Sequence, residues 1–195
     1  MPPKAKFTKE AIVDAALAIA DREGLDAITI RKIADELGSS IAPIYVNFKD
    51  VEELKDAVLV RIFDLSAEMA RTPYSPDPFL SIGIASLKFA REHPALFREL
   101  AVNNHPRLKD VQMPVADLLS QMKGAPKLAP FSEEELMGIL FKMRIFQLGL
   151  SVMDINGSLP RVSEETLVEL LQQTGEDLIA AELARKQAVP NDPQK

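Results

Sequence analysis

Between Thr29 and Lys49 the sequence reads TIRKIADELGSSIAPIYVNFK, and these residue types suit contact with a DNA duplex rather than bond-making chemistry. Arg31 carries a planar guanidinium fork that matches the N7 and O6 acceptors of guanine. Ser40, Ile41, Ala42 and Pro43 stand where a second short helix would begin, and Ile41, Ala42 and Pro43 offer apolar contact to thymine methyl groups. Tyr45, Asn47 and Lys49 suit phosphate oxygens and would set register, with Thr29 at the edge of the same surface. The spacing is that of two short helices about a tight turn. Ala34 is small enough for a close crossing, Gly38 tolerates the positive φ of a turn, and Ile33, Leu37 and Ile44 can clamp the pair. In such a helix-turn-helix the second helix enters the major groove. The same residues would also serve two short helices packed in a helical core, and the motif alone does not choose.

Positioning this segment requires helices on both sides of it. Thr8 can cap a first helix whose stripe Ile12, Val13, Ala16, Leu17, Ile19 and Ala20 ends at Gly24. Thr29 can cap the second, which Gly38 terminates, and Ser39 and Ser40 offer hydroxyls to cap the third. Asp50-Val51-Glu52-Glu53 reads as a capping box opening a longer helix through Leu54, Val58, Leu59, Ile62, Leu65 and Met69. Pro73, Pro76 and Pro78 then break the pattern, and a hinge is expected there. Further helices follow over 79–92 and from Pro94 through Val102, Pro106 and Pro114 flank more helical pieces, and Pro126 and Pro130 bracket a second loop. Ser132-Glu133-Glu134-Glu135 is a second capping box, opening a strongly apolar helix to about Asp154, and Ser163 caps a last helix to about Ala184. With no strand pattern, the fold class is all-α. The expected division is a helix-turn-helix domain over 1–50, a connecting helix over 51–70, a larger helical domain over 71–187 and a polar tail over 188–195.

Composition narrows the function. The 195 residues are 47% hydrophobic, 27% charged and 6% aromatic, the profile of a soluble helical chain. There is no cysteine, which excludes disulfides and thiolate metal sites and fits a reducing cytoplasm. The N-terminus has no apolar run behind its lysines and no stretch reads as long enough to span a bilayer, so a cytoplasmic location is expected. The net charge of −6 runs against clustered phosphate neutralisation. The basic groups near the motif are nonetheless concentrated, at Lys4, Lys6, Lys9, Arg31, Lys32 and Lys49. No metal site, cofactor motif or Gly-rich phosphate loop is present, and His93 and His105 form no nucleophile, base and orienter pattern, so an enzyme is not expected.

The two capped helices at the C-terminal end are long enough to form a four-helix bundle with the same pair from a second chain, which predicts a homodimer. Gly138, Gly149 and Gly175 within them point to close helix approach. Met69, Phe89, Phe97, Met113, Met122, Met137 and Phe141 are large, adaptable side chains suited to lining a site for a small hydrophobic effector, or to packing as plain core. Arg91, His93, Asn103, Asn104 and His105 are candidate polar anchors.

Gly24, Thr29, Ile33-Ala34, Gly38, Tyr45, Phe48 and Leu54, leading into a fourth helix, resemble the N-terminal domain of the TetR family of bacterial regulators. The resemblance in detail covers roughly the first third of the chain. It implies a homodimeric DNA-binding regulator, usually a repressor, with a ligand-responsive C-terminal domain. It also implies that Arg31, Ala42, Pro43, Tyr45 and Asn47 contact DNA. Two residues depart from the pattern. Val51 stands where a lysine is common, leaving Lys49 or Lys55 to meet that phosphate, and Ser39 replaces a small apolar residue in the turn. The expected mechanism is release from a palindromic operator when effector binding changes the angle of the fourth helix. The alternative is a helical small-molecule carrier or adaptor that does not bind DNA.

Overall fold

Thr8 opens the first helix by accepting the Ala11 N–H at 3.2 Å, and α1 (Lys9–Glu23) runs until Gly24, whose φ of +88° ends it. The structure is a computed structural model describing residues 7–103, 115–160 and 162–188. Lys4, Lys6, Asn104, His105, Met113 and the tail beyond residue 188 lie outside those residues. A single 3-10 turn, Leu25–Ala27, leads to Thr29, which accepts the Lys32 N–H and opens α2 (Ile30–Glu36). Gly38, at φ +57°, turns the chain into α3 (Ala42–Asn47).

The expected serine cap of α3 does not form. Ile41 occupies the cap position without a side-chain bond, and Ser39 Oγ donates to the Ser40 carbonyl instead. The reason lies in the first turn. Pro43 has no N–H to offer a capping hydroxyl, and the Ile44 N–H is already taken by the Ile41 carbonyl at 3.1 Å.

Asp50 does cap the next helix, α4 (Val51–Arg71), by accepting the Glu53 N–H at 2.9 Å. Glu53 returns its carboxylate to the N–H of Lys49 rather than Asp50, so the box is shifted by one residue. The proline-rich break falls where expected, and Ser81, buried on α5 (Pro78–Glu92), accepts the N–H groups of both Tyr74 and Ser75. The break is thus held to α5 by side-chain acceptors. Then follow α6 (Pro94–Ala101), α7 (Val115–Lys123), α8 (Glu133–Ile155) and α9 (Glu164–Ala188). The box at the start of α8 is complete: Ser132 accepts from Glu135 N and Glu135 from Ser132 N. α9 runs about a turn past the expected Ala184. No strand occurs among the described residues, and the chain is all-helical.

Packing divides the described residues into two units, one built from 7–69 and 88–103, the other from 70–87, 115–160 and 162–188. The first unit buries Ile12, Ile19, Ile33, Ile44, Leu54 and Ile62 along with Leu96 and Phe97 of α6. In it α6 packs against α1, His93 Nδ1 lies 2.9 Å from Asp21 Oδ2, and Glu99 accepts the Leu25 N–H. The second unit has two apolar clusters. Phe79, Met122, Leu128, Leu136, Ile139 and Ile179 belong to one, and Leu87, Leu150, Leu167 and Leu171 to the other.

One sequence expectation about membranes is corrected. By length and composition α8 is apolar enough to cross a bilayer. In this fold its Leu136, Ile139, Leu140 and Leu150 are core residues and its Lys142 pairs with Glu182 of α9.

Candidate nucleic-acid interface

Burial sorts the α2 and α3 residues into two faces. Ile33, Ala34, Ile44 and Phe48 are buried, with α2 packed on α1, while Arg31, Ser40, Ile41, Ala42, Tyr45 and Val46 are exposed. Ala34 and Gly38 act as expected: the Ser39 N–H reaches back to the Ala34 carbonyl at 2.9 Å, closing the turn through a glycine in the left-handed region.

The exposed face of α3 is apolar. Ile41 is 50% exposed, Tyr45 54% and Val46 74%, unusual values for large hydrophobic side chains. Val46 was not among the residues expected from sequence. It sits one helical turn after Ala42, and that i, i+4 spacing was the available signal. Pro43 and Asn47 are half-buried. Asn47 Nδ2 donates to the Pro43 carbonyl at 2.8 Å, so one amide hydrogen ties down the end of α3. Thr29 accepts from Lys32 N, leaving its hydroxyl proton free to donate.

The basic residues divide in the same way. Lys32 pairs with Glu23 at 2.6 Å and holds that carboxyl below the usual carboxylate range. Lys9 lies 3.8 Å from Glu53 and 4.7 Å from the centroid of the Phe48 ring. Arg22 makes a two-pronged pair with Glu36, at 3.2 and 2.8 Å, which raises the pKa of its guanidinium. The Arg31 and Lys49 side chains, both exposed, have no acceptor among the described residues. Exposed cations without intramolecular carboxylates are the ones that can meet phosphates or base edges without first breaking a pair.

The residues expected to line an effector site are dispersed. In the first unit Phe89 and Phe97 are buried and Met69 is half-buried. In the second, Met122 is fully buried in the core. Met137 and Phe141, 44% and 66% exposed, lie on the outer face of α8 with Ile145. Helical spacing placed them on an apolar stripe, but a stripe does not reveal which side of it another element covers. The described groove of the second unit, about 290 Å³, runs between α8 and α9 and is lined by Phe131, Glu135, Lys142, Glu182 and Lys186 among others, with none of the expected residues. Of the three helix glycines, Gly175 is packed: an added Cβ would lie 3.6 Å from Phe79. Gly138 and Gly149 have nothing within 4 Å.

Comparison with known proteins agrees with this geometry. Residues 12–58, from the middle of α1 into α4, match the family described as bacterial regulatory proteins, tetR family. An uncharacterized HTH-type transcriptional regulator of Mycobacterium tuberculosis, Rv0681, is 33% identical over 101 residues, covering 48% of this chain and 44% of that protein. The tetracycline repressor protein class D of Escherichia coli is 36% identical over 58 residues, covering 30% of this chain and 27% of the repressor. The chain thus spans less than half the length of each of these two relatives. The fold extends further than the sequence identity. A tetR-family transcriptional regulator from Streptomyces coelicolor superposes with a TM-score of 0.68 at 19% identity, covering 91% of this chain and 82% of that one. Residues 12–58 thus carry the N-terminal segment of the tetR family of bacterial regulatory proteins, on an all-helical fold shared along most of the chain with a regulator of that family.

Proposed function

We propose that this chain is a cytoplasmic, ligand-responsive transcriptional repressor that binds palindromic operator DNA as a homodimer and is released by a small hydrophobic effector. The observation that carries the reading is the outward face of α2 and α3. It presents Arg31, Lys49 and the apolar group Ile41, Ala42, Tyr45 and Val46, while the opposite face is locked into the core. Arg31 takes guanine, and Ile41, Ala42 and Val46 take thymine methyl groups. Lys49 and Tyr45 hold phosphates, with Thr29, Ser40 and the remaining amide hydrogen of Asn47 at the edges.

The homodimer is supported by the outer face of α8 and α9. Met137, Phe141, Ile145 and Leu170 are large and exposed, an apolar surface of the kind a subunit interface covers. A two-fold dimer supplies two copies of α3, which must lie about 34 to 36 Å apart to enter successive major grooves. An effector that alters the angle of α4 through the 65–78 segment would break that register. Repression follows the name of the tetracycline repressor, and a hydrophobic effector follows the methionine and phenylalanine content of the chain.

Selection of bound sequences from a random duplex pool tests this reading. The full-length chain should enrich a two-fold symmetric sequence, and a hydrophobic compound that binds the protein should release the enriched duplex in a mobility-shift assay. Absence of enrichment with and without hydrophobic extracts would favour a helical carrier.

A further inference from the structure

We infer that the chain recognises its own copy through a reciprocal ion pair, Arg144 on α8 of one protomer against Asp177 on α9 of the other. The inference rests on the homodimer proposed above and names what fixes its register.

Arg144 stands among apolar neighbours. Phe141 precedes it by three residues and Leu148 follows it by four, so all three share one side of α8. Arg144 is itself an exposed residue, and partial burial of its guanidinium lowers the pKa from the ordinary arginine value. Arg144 nevertheless has no acceptor among the described residues. The neighbouring charges of α8 and α9 are already engaged: Lys142 and Arg185 with Glu182, and Lys186 with Glu135.

Asp177 is the counterpart on α9. It is exposed and has no cation among the described residues, and it follows Leu170 by two helical turns, on the outward side of α9. The two helices run antiparallel, as the pairs Glu135 with Lys186 and Lys142 with Glu182 require. Gly175 lies opposite Met143, with an added Cβ 3.8 Å from the Met143 methyl. Within one protomer residue 144 is therefore level with the stretch that holds Asp177, and a two-fold axis passing at that level would set each residue 144 beside the other copy's residue 177. Glu169 is also exposed but lies about 12 Å further along α9, by the helical rise.

A two-fold interface uses every contact twice, so a lone cation on α8 and a lone anion on α9 are complementary to a second copy of the same surface. Covering the apolar face without that anion would bury an unpaired guanidinium, which is costly. Arginine in particular suits such a site because its planar fork binds a carboxylate through two hydrogen bonds. Gly138 and Gly149, open on this protomer, leave room for a partner helix to approach.

The test is a charge swap read by sedimentation equilibrium of the full-length chain, with helicity checked by circular dichroism. Arg144→Glu and Asp177→Arg should each raise the dimer Kd at least about tenfold, because each places like charges together twice. An equimolar mixture of the two variants should recover dimer, now as heterodimer, since both of its pairs are again opposite in sign. Phe141→Asp serves as the control for the face itself. If both swaps dimerise like the wild type while Phe141→Asp is monomeric, the ion pair is wrong and the dimer face stands. Weakening by both swaps without recovery in the mixture also overturns the pair. A wild-type chain that is monomeric at micromolar concentration overturns the dimer reading along with it.

Discussion

Glu99 on α6 accepts the backbone N–H of Leu25 at 3.2 Å, joining the turn between α1 and α2 to a helix more than seventy residues later in the chain. No nearer residue supplies that acceptor, because Gly24 has turned the backbone outward at the end of α1. Asn103 donates to the other oxygen of the same carboxylate, at 3.0 Å. Removing the carboxylate leaves a part-buried N–H unsatisfied, at a cost of about 1–3 kcal/mol. Glu99→Ala should therefore lower Tm by several degrees, and Glu99→Gln, which keeps an acceptor, should lower it less. Thermal melts of the two variants check this, and an unchanged Glu99→Ala melt would show that the bond contributes nothing.

Arg31 and Lys49 should fail differently when truncated. Arg31→Ala should cost about 1–3 kcal/mol against the selected duplex and relax preference at one base pair, since its fork reads a base edge. Lys49→Ala should weaken binding to all duplexes alike and reduce the slope of log affinity against log salt by about 1. Neither side chain has an intramolecular partner among the described residues, so both variants should melt like the wild type. Anisotropy titrations at several salt concentrations separate the two behaviours.

The apolar face of α3 predicts a dependence on thymine methyl groups. Replacing thymine by uracil within the selected half-site removes the C5 methyl and leaves every hydrogen-bonding edge intact. Affinity should fall at the positions met by Ile41, Ala42 or Val46, and the loss should vanish in Val46→Ser at the position Val46 reads. Equal affinity for thymine and uracil duplexes at every position would exclude apolar readout.

Acid should loosen the α8 and α9 pair. Lys186 holds the Glu135 carboxyl below its ordinary value of 4.5, and Lys142 does the same to Glu182. A carboxyl whose folded pKa is depressed contributes stability that is fully present above 4.5 and is lost as pH falls through the folded value. The effect is small because both pairs are solvent-screened. Tm should be flat from pH 7 to about 5 and fall below 4.5, and Glu135→Gln with Glu182→Gln should flatten that fall. Melts across this range test the sign.

Much of the local architecture was legible in the sequence because its signals are local. Thr8, Thr29, Asp50 and Ser132 cap the helices they were expected to cap, and Gly24 and Gly38 end α1 and α2 at positive φ. The α3 cap was misread because Pro43 removes the N–H that makes a serine cap worthwhile. Tertiary relationships were not legible. Nothing in the periodicity of α6 says that Glu99 and His93 meet the segment from Asp21 to Leu25. Periodicity likewise assigned Met137 and Phe141 to an apolar stripe without saying that the stripe faces outward.

The claim on which the account depends is that α3 lies in the major groove. Photo-crosslinking tests it most directly, using the selected duplex with 5-iodouracil at single half-site thymines and mass spectrometry to locate the attached residue. Crosslinks should fall within Ile41–Val46 and should disappear against competitor duplex of the same sequence but not of scrambled sequence. Crosslinks confined to α8 or α9, or tight binding with none in α3, would contradict the account.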